Sequence, residues 1–307
     1  MKNQPLISII IPTYNRTTIL NKTIKNVLNQ TWNNIQIIIV DDGNNNQTFK
    51  LIKLLNNNRI KYIRTKNNLG CALARLKGIQ NSKGKYITFL DDDDNWTKNY
   101  LQNQYKQFLD DDTLDLVMCN YIIKINGKKI VEKNIKKFTD NFQNMIHKEP
   151  GPFFQCCMFK KKILINPEEL FDNLAVPSED WDFFLNLSLR FPKIGYSSKQ
   201  DFIWNYSNIS QSNNIINESN SFIYIIKKHK QRIIKNSGKI ILSDHYRRIA
   251  RFYEVLNNYK LMKKYYKKAF LSAPLWWKNI LYIILLFLGK SKSFKGIIFF
   301  RKIRNII

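Results

Sequence analysis

An α/β fold is what this 307-residue chain predicts, built on a mainly parallel sheet with helices on both faces and a helical region towards the C-terminal end. Three observations carry that expectation. Up to about residue 123, β-branched apolar runs alternate with longer segments of helical spacing, as in strands joined through crossover helices. A hydrophobic fraction of 44% with 13% aromatic residues supplies a large core and excludes a disordered chain. From residue 217 onward, helix-spaced segments follow one another with no strand runs between them.

The first strand is expected at Ile7–Ile11, an apolar run too short for an export signal and broken at Pro12. A helix around 18–30 gathers Leu20, Ile24, Val27 and Leu28 on one face. Strands follow at Ile35–Val40, Arg59–Ile63, Tyr86–Leu90 and Leu114–Ile123, separated by helices around 46–56, 70–81 and 97–109. Asn126-Gly127 reads as a tight hairpin turn between Ile122–Ile125 and Lys128–Val131. Residues 139–178 read as irregular apart from a strand-like run at Phe153–Phe159. A helix capped by Ser178 then buries Trp181, Phe184, Leu185 and Leu189. Helices at 218–236, 243–257 and 259–272 complete the regular part, the last two as an antiparallel pair closed by Pro274. The expected division is a first domain over 1–215, in halves 1–123 and 124–215, and a helical region over 216–307.

Ligands of open parallel sheets bind beyond the C-terminal strand ends. The acidic clusters of the first half fall there: Asp41-Asp42 after the second strand and Asp91–Asp94 after the fourth. Four successive carboxylates repel one another unless a cation sits among them. Hard oxygen ligands suit Mg²⁺ or Mn²⁺, and Mg²⁺ takes one or two protein carboxylates with water and substrate phosphates completing its shell. The expected ligand is a metal-bound diphosphate; the plainer reading is an acidic lead-in to the helix near Thr97.

Cys71, Cys119, Cys156 and Cys157 have neither paired metal-ligand spacing nor a disulfide framework, which points to reduced thiols and a cytoplasmic protein. His147, His229 and His245 are too scattered for a zinc site. Residues 221–307 carry 21 Lys and Arg against 2 Asp and Glu, a balance of +19 out of the chain's +27, so an anionic surface is expected to be met there. Within Leu275–Gly289, the uninterrupted apolar stretch Ile280–Leu288 is too short to span about 30 Å of hydrocarbon. Trp276, Trp277 and flanking lysines suit an element lying at the interface of an anionic membrane, with a core helix as the alternative. The basic, apolar ending through Phe299, Phe300, Arg301 and Arg304 extends that character. The expectation is a peripheral protein on the inner face of the cell membrane, with no nucleic-acid partner. The rival is a basic nucleic-acid binder using Tyr265-Tyr266 between lysine pairs, which would show steeply salt-dependent binding.

Five motifs occur in order: Ser8–Arg16 (SIIIPTYNR), Val40-Asp41-Asp42-Gly43, Asn68-Leu69-Gly70, Phe89–Asp94 and Ser178-Glu179-Asp180-Trp181. Together, over roughly residues 5–205, they closely resemble the family two glycosyltransferases of the GT-A fold. The resemblance implies a nucleotide-sugar donor, usually a UDP-sugar, a divalent Mn²⁺ or Mg²⁺, and transfer of a sugar with inversion to a glycan or lipid-linked saccharide hydroxyl. It also implies roles. Pro12, Thr13, Tyr14 and Asn15 would border the base pocket, with the Tyr14 ring stacking on uracil. Asp42 would accept the uracil imide N–H while Asp41 either shares that contact or holds the turn at Gly43. Asn68 and Gly70 would let the next helix N-terminus approach the nucleotide, and Arg75 would reach a phosphate or lie on that helix's polar face. Asp93 would bind the metal, with Asp91 as a second ligand and Asp91 and Asp92 orienting ribose and metal-bound water; Asp92 and Asp94 are an alternative register. Asp180 would be the general base at a helix N-terminus, with Glu179 beside it and Trp181 on the acceptor side or in the core. The family commonly continues Gly-Ser-x-Asp where this chain has Gly43-Asn44-Asn45-Asn46. A nucleotidyltransferase on a similar sheet is the other enzymatic alternative.

Overall fold

The structure, a computed structural model, describes residues 4–125, 128–206 and 214–287. It divides into two compact units, residues 1–213 and 214–307.

The first unit holds strands β1 (Ile7–Thr13), β2 (Ile35–Asp41), β3 (Ile60–Arg64), β4 (Tyr86–Phe89), β5 (Asn95–Trp96), β6 (Leu116–Ile125), β7 (Lys128–Lys133), β8 (Cys157–Lys160) and β9 (Ile194–Tyr206). They form one sheet in the order β3-β2-β1-β4-β8-β6-β9-β5, with β7 paired to β6. The four strands β3, β2, β1 and β4 run parallel, and β6 pairs parallel with β9. Strand β8 is antiparallel to both of its neighbours. Every residue of β1 is buried, as a strand covered on both faces requires, and each fully buried isoleucine there contributes about 1.5–3 kcal/mol. The helices are α1 (Thr17–Leu28), α2 (Gln47–Leu55), α3 (Cys71–Gln80), α4 (Tyr100–Asp110), α5 (Lys136–Asp140), α6 (Phe142–Lys148) and α7 (Glu179–Leu187). Helix α3 packs on β1 and β2, and α4 on β6, β8 and β9.

Gly78 brings α3 onto β1: a Cβ there would lie 2.3 Å from Ile10 Cγ2. A second core, of Phe89, Phe154, Phe159, Phe171, Phe183 and Phe184, is buried between β4, β8 and α7. Most of its rings meet edge-on or tilted, with Phe154 4.7 Å from Phe183 and 5.1 Å from Phe89, while Phe154 stacks on Phe171 and Phe159 on Phe184; both arrangements suit the ring quadrupole when the rings are offset.

Several expectations need correction. Within residues 139–178 the helix α6 was not expected, while the strand-like run at Phe153–Phe159 becomes strand only from Cys157, as β8, after a 3₁₀ turn over Phe154–Cys156. Leu189 is 57% exposed because α7 ends at Leu187 and a tighter 3₁₀ turn over Ser188–Arg190 rotates it outward. Ser178 stands at the N-cap of α7 through its carbonyl, which accepts the N–H groups of Trp181 and Asp182; its side chain makes no cap bond. Strand β9, inserted between β6 and β5, was not anticipated. The hairpin strands β6 and β7 pair as expected, while Asn126-Gly127 lies outside the described residues.

In the second unit, α8 (Ile215–Val255) starts at an Asn214 cap and is broken at Gly238, whose φ of 82° and ψ of 169° leave the helical region. Asn258 caps α9 (Tyr259–Ser272), and α10 (Trp277–Phe287) follows Pro274. Asn279 is buried and ties α10 to the pair: its Nδ2 donates to Ala273 O at 2.7 Å and to Ser243 Oγ at 2.8 Å, and its Oδ1 accepts from Arg247 Nη1 at 2.6 Å. Tyr282 stacks on Tyr266 at 4.6 Å. The other side of α10 and its approach is apolar and open, with Leu275 93%, Trp277 59% and Leu281 44% exposed. Among the described residues no helix is long and apolar enough to cross a membrane. Phe299, Phe300, Arg301 and Arg304 lie outside the described residues.

Candidate active site

A cavity of about 470 Å³ opens where β1, β2 and β4 end, closed opposite by residues 150–155 and the start of α7. Its wall includes Pro12, Thr13, Tyr14, Asp42, Asn68, Gly70, Arg75, Asp91–Asp94 and Ser178–Trp181. Parallel pairing explains the convergence. The register Ile10↔Ile38 and Ile10↔Phe89 puts the ends of three strands side by side, so the residues that follow them share one rim.

Tyr14 is 47% exposed and lines the cavity. Asp42 is buried, and its carboxylate accepts from Thr65 Oγ1 at 2.6 Å, Leu69 N–H at 2.8 Å and Gly70 N–H at 2.7 Å. A carboxylate has about four acceptor sites, so one is left for a ligand. Gly70 takes φ 79° at the N-cap of α3, where a side chain is strained.

Of the residues expected at the base pocket, Asp41 takes its turn-holding alternative and Asn15 turns elsewhere. Asp41 does not reach the cavity wall: it is buried, with Oδ1 accepting Gly43 N–H at 3.0 Å and Oδ2 accepting Tyr62 O–H at 2.8 Å, so it holds the turn. Asn15 points to the neighbouring loop, where its amide bonds Asn44 at 3.1 Å and Asn45 at 2.7 Å. The Asn44-Asn45-Asn46 run thus has a structural partner.

The acidic run folds as a turn in which Asp94 N–H bonds Asp91 O at 3.2 Å. Asp92 is buried, accepting from Thr13 Oγ1 at 2.6 Å and Arg16 Nη1 at 3.1 Å. Burial pushes its carboxyl up to about 6 against the pull of Thr13 and Arg16. Asp94 accepts Asn205 N–H at 2.9 Å, and burial with repulsion from Asp91 and Asp93 raises it well above the carboxylate range. Burial and then Asp91 raise Asp93 as well. The side chains of Asp91 and Asp93 are 32% and 33% exposed.

Those two carboxylates fit a Mg²⁺ or Mn²⁺ ion: hard oxygens on the cavity side, crowded with further negative charge that a cation would relieve. Among the described residues no three His, Cys, Asp or Glu side chains form a ready cage. A pair that leaves room for phosphate oxygens is what Mg²⁺ uses.

For Arg75, one of the two expected readings is excluded: it is no polar-face residue but 3% exposed, with Nη1 2.8 Å from Glu179 Oε1 and Nη2 2.6 Å from Asp91 Oδ1. Its guanidinium lies 4.8 Å from the Phe154 ring centre, a cation–π placement. The backbone N–H of Phe154 donates to Asp180 Oδ2 at 3.2 Å, and Gln155 Nε2 donates to Asp91. Arg75 and the 154–155 turn therefore join the acidic run to the start of α7. Burial, then the charge of Glu179, holds the Asp180 carboxyl well above its usual range, while Arg75 pulls it down. Trp181 is 1% exposed with Nε1 donating to Ile146 O at 2.7 Å, so it is a core residue at the cavity floor.

Contributors that sequence reasoning missed include Arg16, Gln155, Phe153 and Trp204. Arg16 stood within a quoted motif; the alternation Phe202, Trp204, Tyr206 could have flagged β9; nothing marked Gln155. His147 is buried, with Nδ1 at 2.5 Å from Gln143 O, and does not line the cavity.

The family described as "Glycosyl transferase family 2" matches residues 8–166, more than half of the chain. The chain belongs to that family. This glycosyltransferase is 28% identical over 255 residues to the Escherichia coli "UDP-Glc:alpha-D-GlcNAc-diphosphoundecaprenol beta-1,3-glucosyltransferase WfaP", covering 82% of this chain and 93% of that one. Among solved structures it resembles residues 1–349 of S. aureus TarS in complex with UDP-GlcNAc, with a TM-score of 0.66 at 16% identity over 87% of this chain and 81% of that one. It also resembles the mannosyltransferase PcManGT from Pyrobaculum calidifontis in complex with GDP-Man and Mn²⁺, with a TM-score of 0.61 at 15% identity over 96% of this chain and 83% of that one. The GT-A-like sheet is common ground, and family membership sets aside the nucleotidyltransferase alternative.

Proposed function

We propose that this glycosyltransferase moves a single sugar, with inversion, from a UDP-sugar to a hydroxyl of a glycan or lipid-linked saccharide. The observation that carries the reading is one cavity holding Asp91 and Asp93 on one side and Asp180 on the other, tied together by Arg75 and Glu179. UDP is favoured because the WfaP relative is named for UDP-Glc and because Tyr14 and Asp42 offer a ring face and an acceptor to a uracil edge.

Asp93 and Asp91 would hold Mn²⁺ or Mg²⁺, which supplies Lewis-acid neutralisation of the departing diphosphate. Asp180 takes the proton of the acceptor hydroxyl as its oxygen forms the new bond to the anomeric carbon. The bond from that carbon to the diphosphate oxygen breaks, and its electron pair leaves with UDP. A carboxylate suffices as base because the attacked carbon has oxocarbenium character. Phe154 N–H keeps the Asp180 carboxylate oriented. The open apolar face of Leu275, Trp277 and Leu281, in a region of net charge +19, supports peripheral docking on an anionic membrane facing the cytoplasm.

Incubation with UDP-Glc, UDP-GlcNAc and related donors in Mn²⁺, following UDP release and the product's anomeric configuration by NMR, tests the proposal. A configuration opposite to the donor's supports it; retained configuration, or no UDP from any UDP-sugar, contradicts it.

A further inference from the structure

The acidic run already has a cationic side chain within reach. Arg16 lies in the turn between β1 and α1 and sets Nη1 3.1 Å from Asp92 Oδ1 and 2.7 Å from Asp93 Oδ2. Among the described residues it is the only side chain bonded to the Asp93 carboxylate. The other positive group of the site is committed elsewhere, since Arg75 is buried between Asp91 and Glu179. Asp94 is held by the backbone N–H of Asn205. Neutralisation of Asp92 and Asp93 therefore falls to Arg16.

We propose that Arg16 is an exchangeable counter-ion for the metal carboxylate. It holds Asp93 until a nucleoside diphosphate delivers a divalent cation to the same oxygens, and then turns its guanidinium to the diphosphate. The inference rests on the nucleotide-sugar reading above and adds an order of binding to it.

Four features support the exchange. Mg²⁺ binds carboxylate oxygens at about 2.0–2.1 Å, so a cation of this kind and a guanidinium on Asp93 Oδ2 would repel each other at contact range. The Arg16 side chain is 36% exposed and borders the cavity, so it has room to swing, whereas Arg75 at 3% has none. Asp92 keeps its bond from Thr13 Oγ1 when Arg16 leaves. A planar guanidinium fork also matches phosphate oxygens. The consequence is that Mn²⁺ alone competes against a tethered positive charge, and Mn²⁺ with nucleotide does not.

The test is a titration of Mn²⁺ followed by the EPR signal of free Mn²⁺, without and with UDP, on the full chain and on Arg16→Gln and Arg16→Lys. An opposite charge in contact shifts a carboxylate's cation affinity by about one to three orders of magnitude. Nucleotide-free Arg16→Gln should therefore bind Mn²⁺ about tenfold more tightly than wild type, and should bind UDP about tenfold more weakly at saturating Mn²⁺. Arg16→Lys keeps the charge and should stay close to wild type in the nucleotide-free titration. Nucleotide-free affinity in Arg16→Gln equal to or below that of wild type overturns the exchange. Failure of wild type to bind Mn²⁺ even with UDP also overturns the exchange, whereas failure of UDP to bind at any Mn²⁺ concentration overturns the nucleotide-sugar reading itself.

Discussion

Asp180 carries neighbours of opposite effect. Burial and the adjacent Glu179 raise its carboxyl, while Arg75 lowers it, and the net direction is upward. A base must be ionised to accept a proton, so activity is lost as pH falls through that raised value. The acid limb of kcat/KM should therefore lie above the ordinary carboxylate range, which is about 4. Glu179→Gln removes the like charge and should move the limb to lower pH, a shift read directly from the pH–rate profile; an unmoved limb would separate Asp180 from the kinetic base. Arg75 makes the complementary prediction for stability. Arg75→Met strands the Glu179 and Asp91 carboxylates and should cost about 3 kcal/mol in urea unfolding, whereas an exposed arginine would cost little. The acidic motif residues were legible in the sequence because carboxylates at strand ends announce themselves. Their counter-ions were not, because which arginine meets which aspartate depends on β1 lying between β2 and β4 and on α7 returning to α3.

Element placement rests on close packing at a few points. Helix α3 presents Gly70 and Asn68 to the cavity only because Gly78 lets it settle on Ile10. Gly78→Ala pushes a methyl group into that contact and should destabilise the protein by about 1–3 kcal/mol, measured by urea unfolding, and should weaken UDP binding by displacing the helix N-terminus. Binding unaffected by a destabilising Gly78→Ala would mean that α3 does not set the nucleotide pocket. Strands β1, β2, β3, β4 and β6 could be read from their β-branched runs with ends within about two residues. Only the end of strand β9 was legible, through the alternation Phe202, Trp204, Tyr206, because Ser197–Asp201 is polar. The turn of the helix path at Leu187 was invisible for a related reason: Leu189 keeps apolar spacing past the point where the backbone tightens.

At the scale of the whole molecule, positive charge and exposed apolar surface coincide in the second unit. Leu275, Trp277 and Leu281 are exposed there, while Asn279 and Tyr282 fix the opposite face of α10. Cosedimentation with vesicles containing phosphatidylglycerol should exceed that with neutral vesicles, fall in 0.5 M salt as screening shortens to about 4 Å, and drop with Leu275→Glu and Trp277→Glu together. Equal binding to neutral vesicles would contradict an anionic membrane partner. In the first unit, one cavity is lined both by the aspartates proposed to hold the donor and by Asp180, the proposed base, and that division of labour is the central claim. Its most direct measurement is Asp180→Asn in single turnover beside UDP binding with Mn²⁺. The account predicts transfer slowed by about 10²–10⁴-fold with nucleotide affinity unchanged; transfer at the wild-type rate, or nucleotide binding lost with it, would contradict the account.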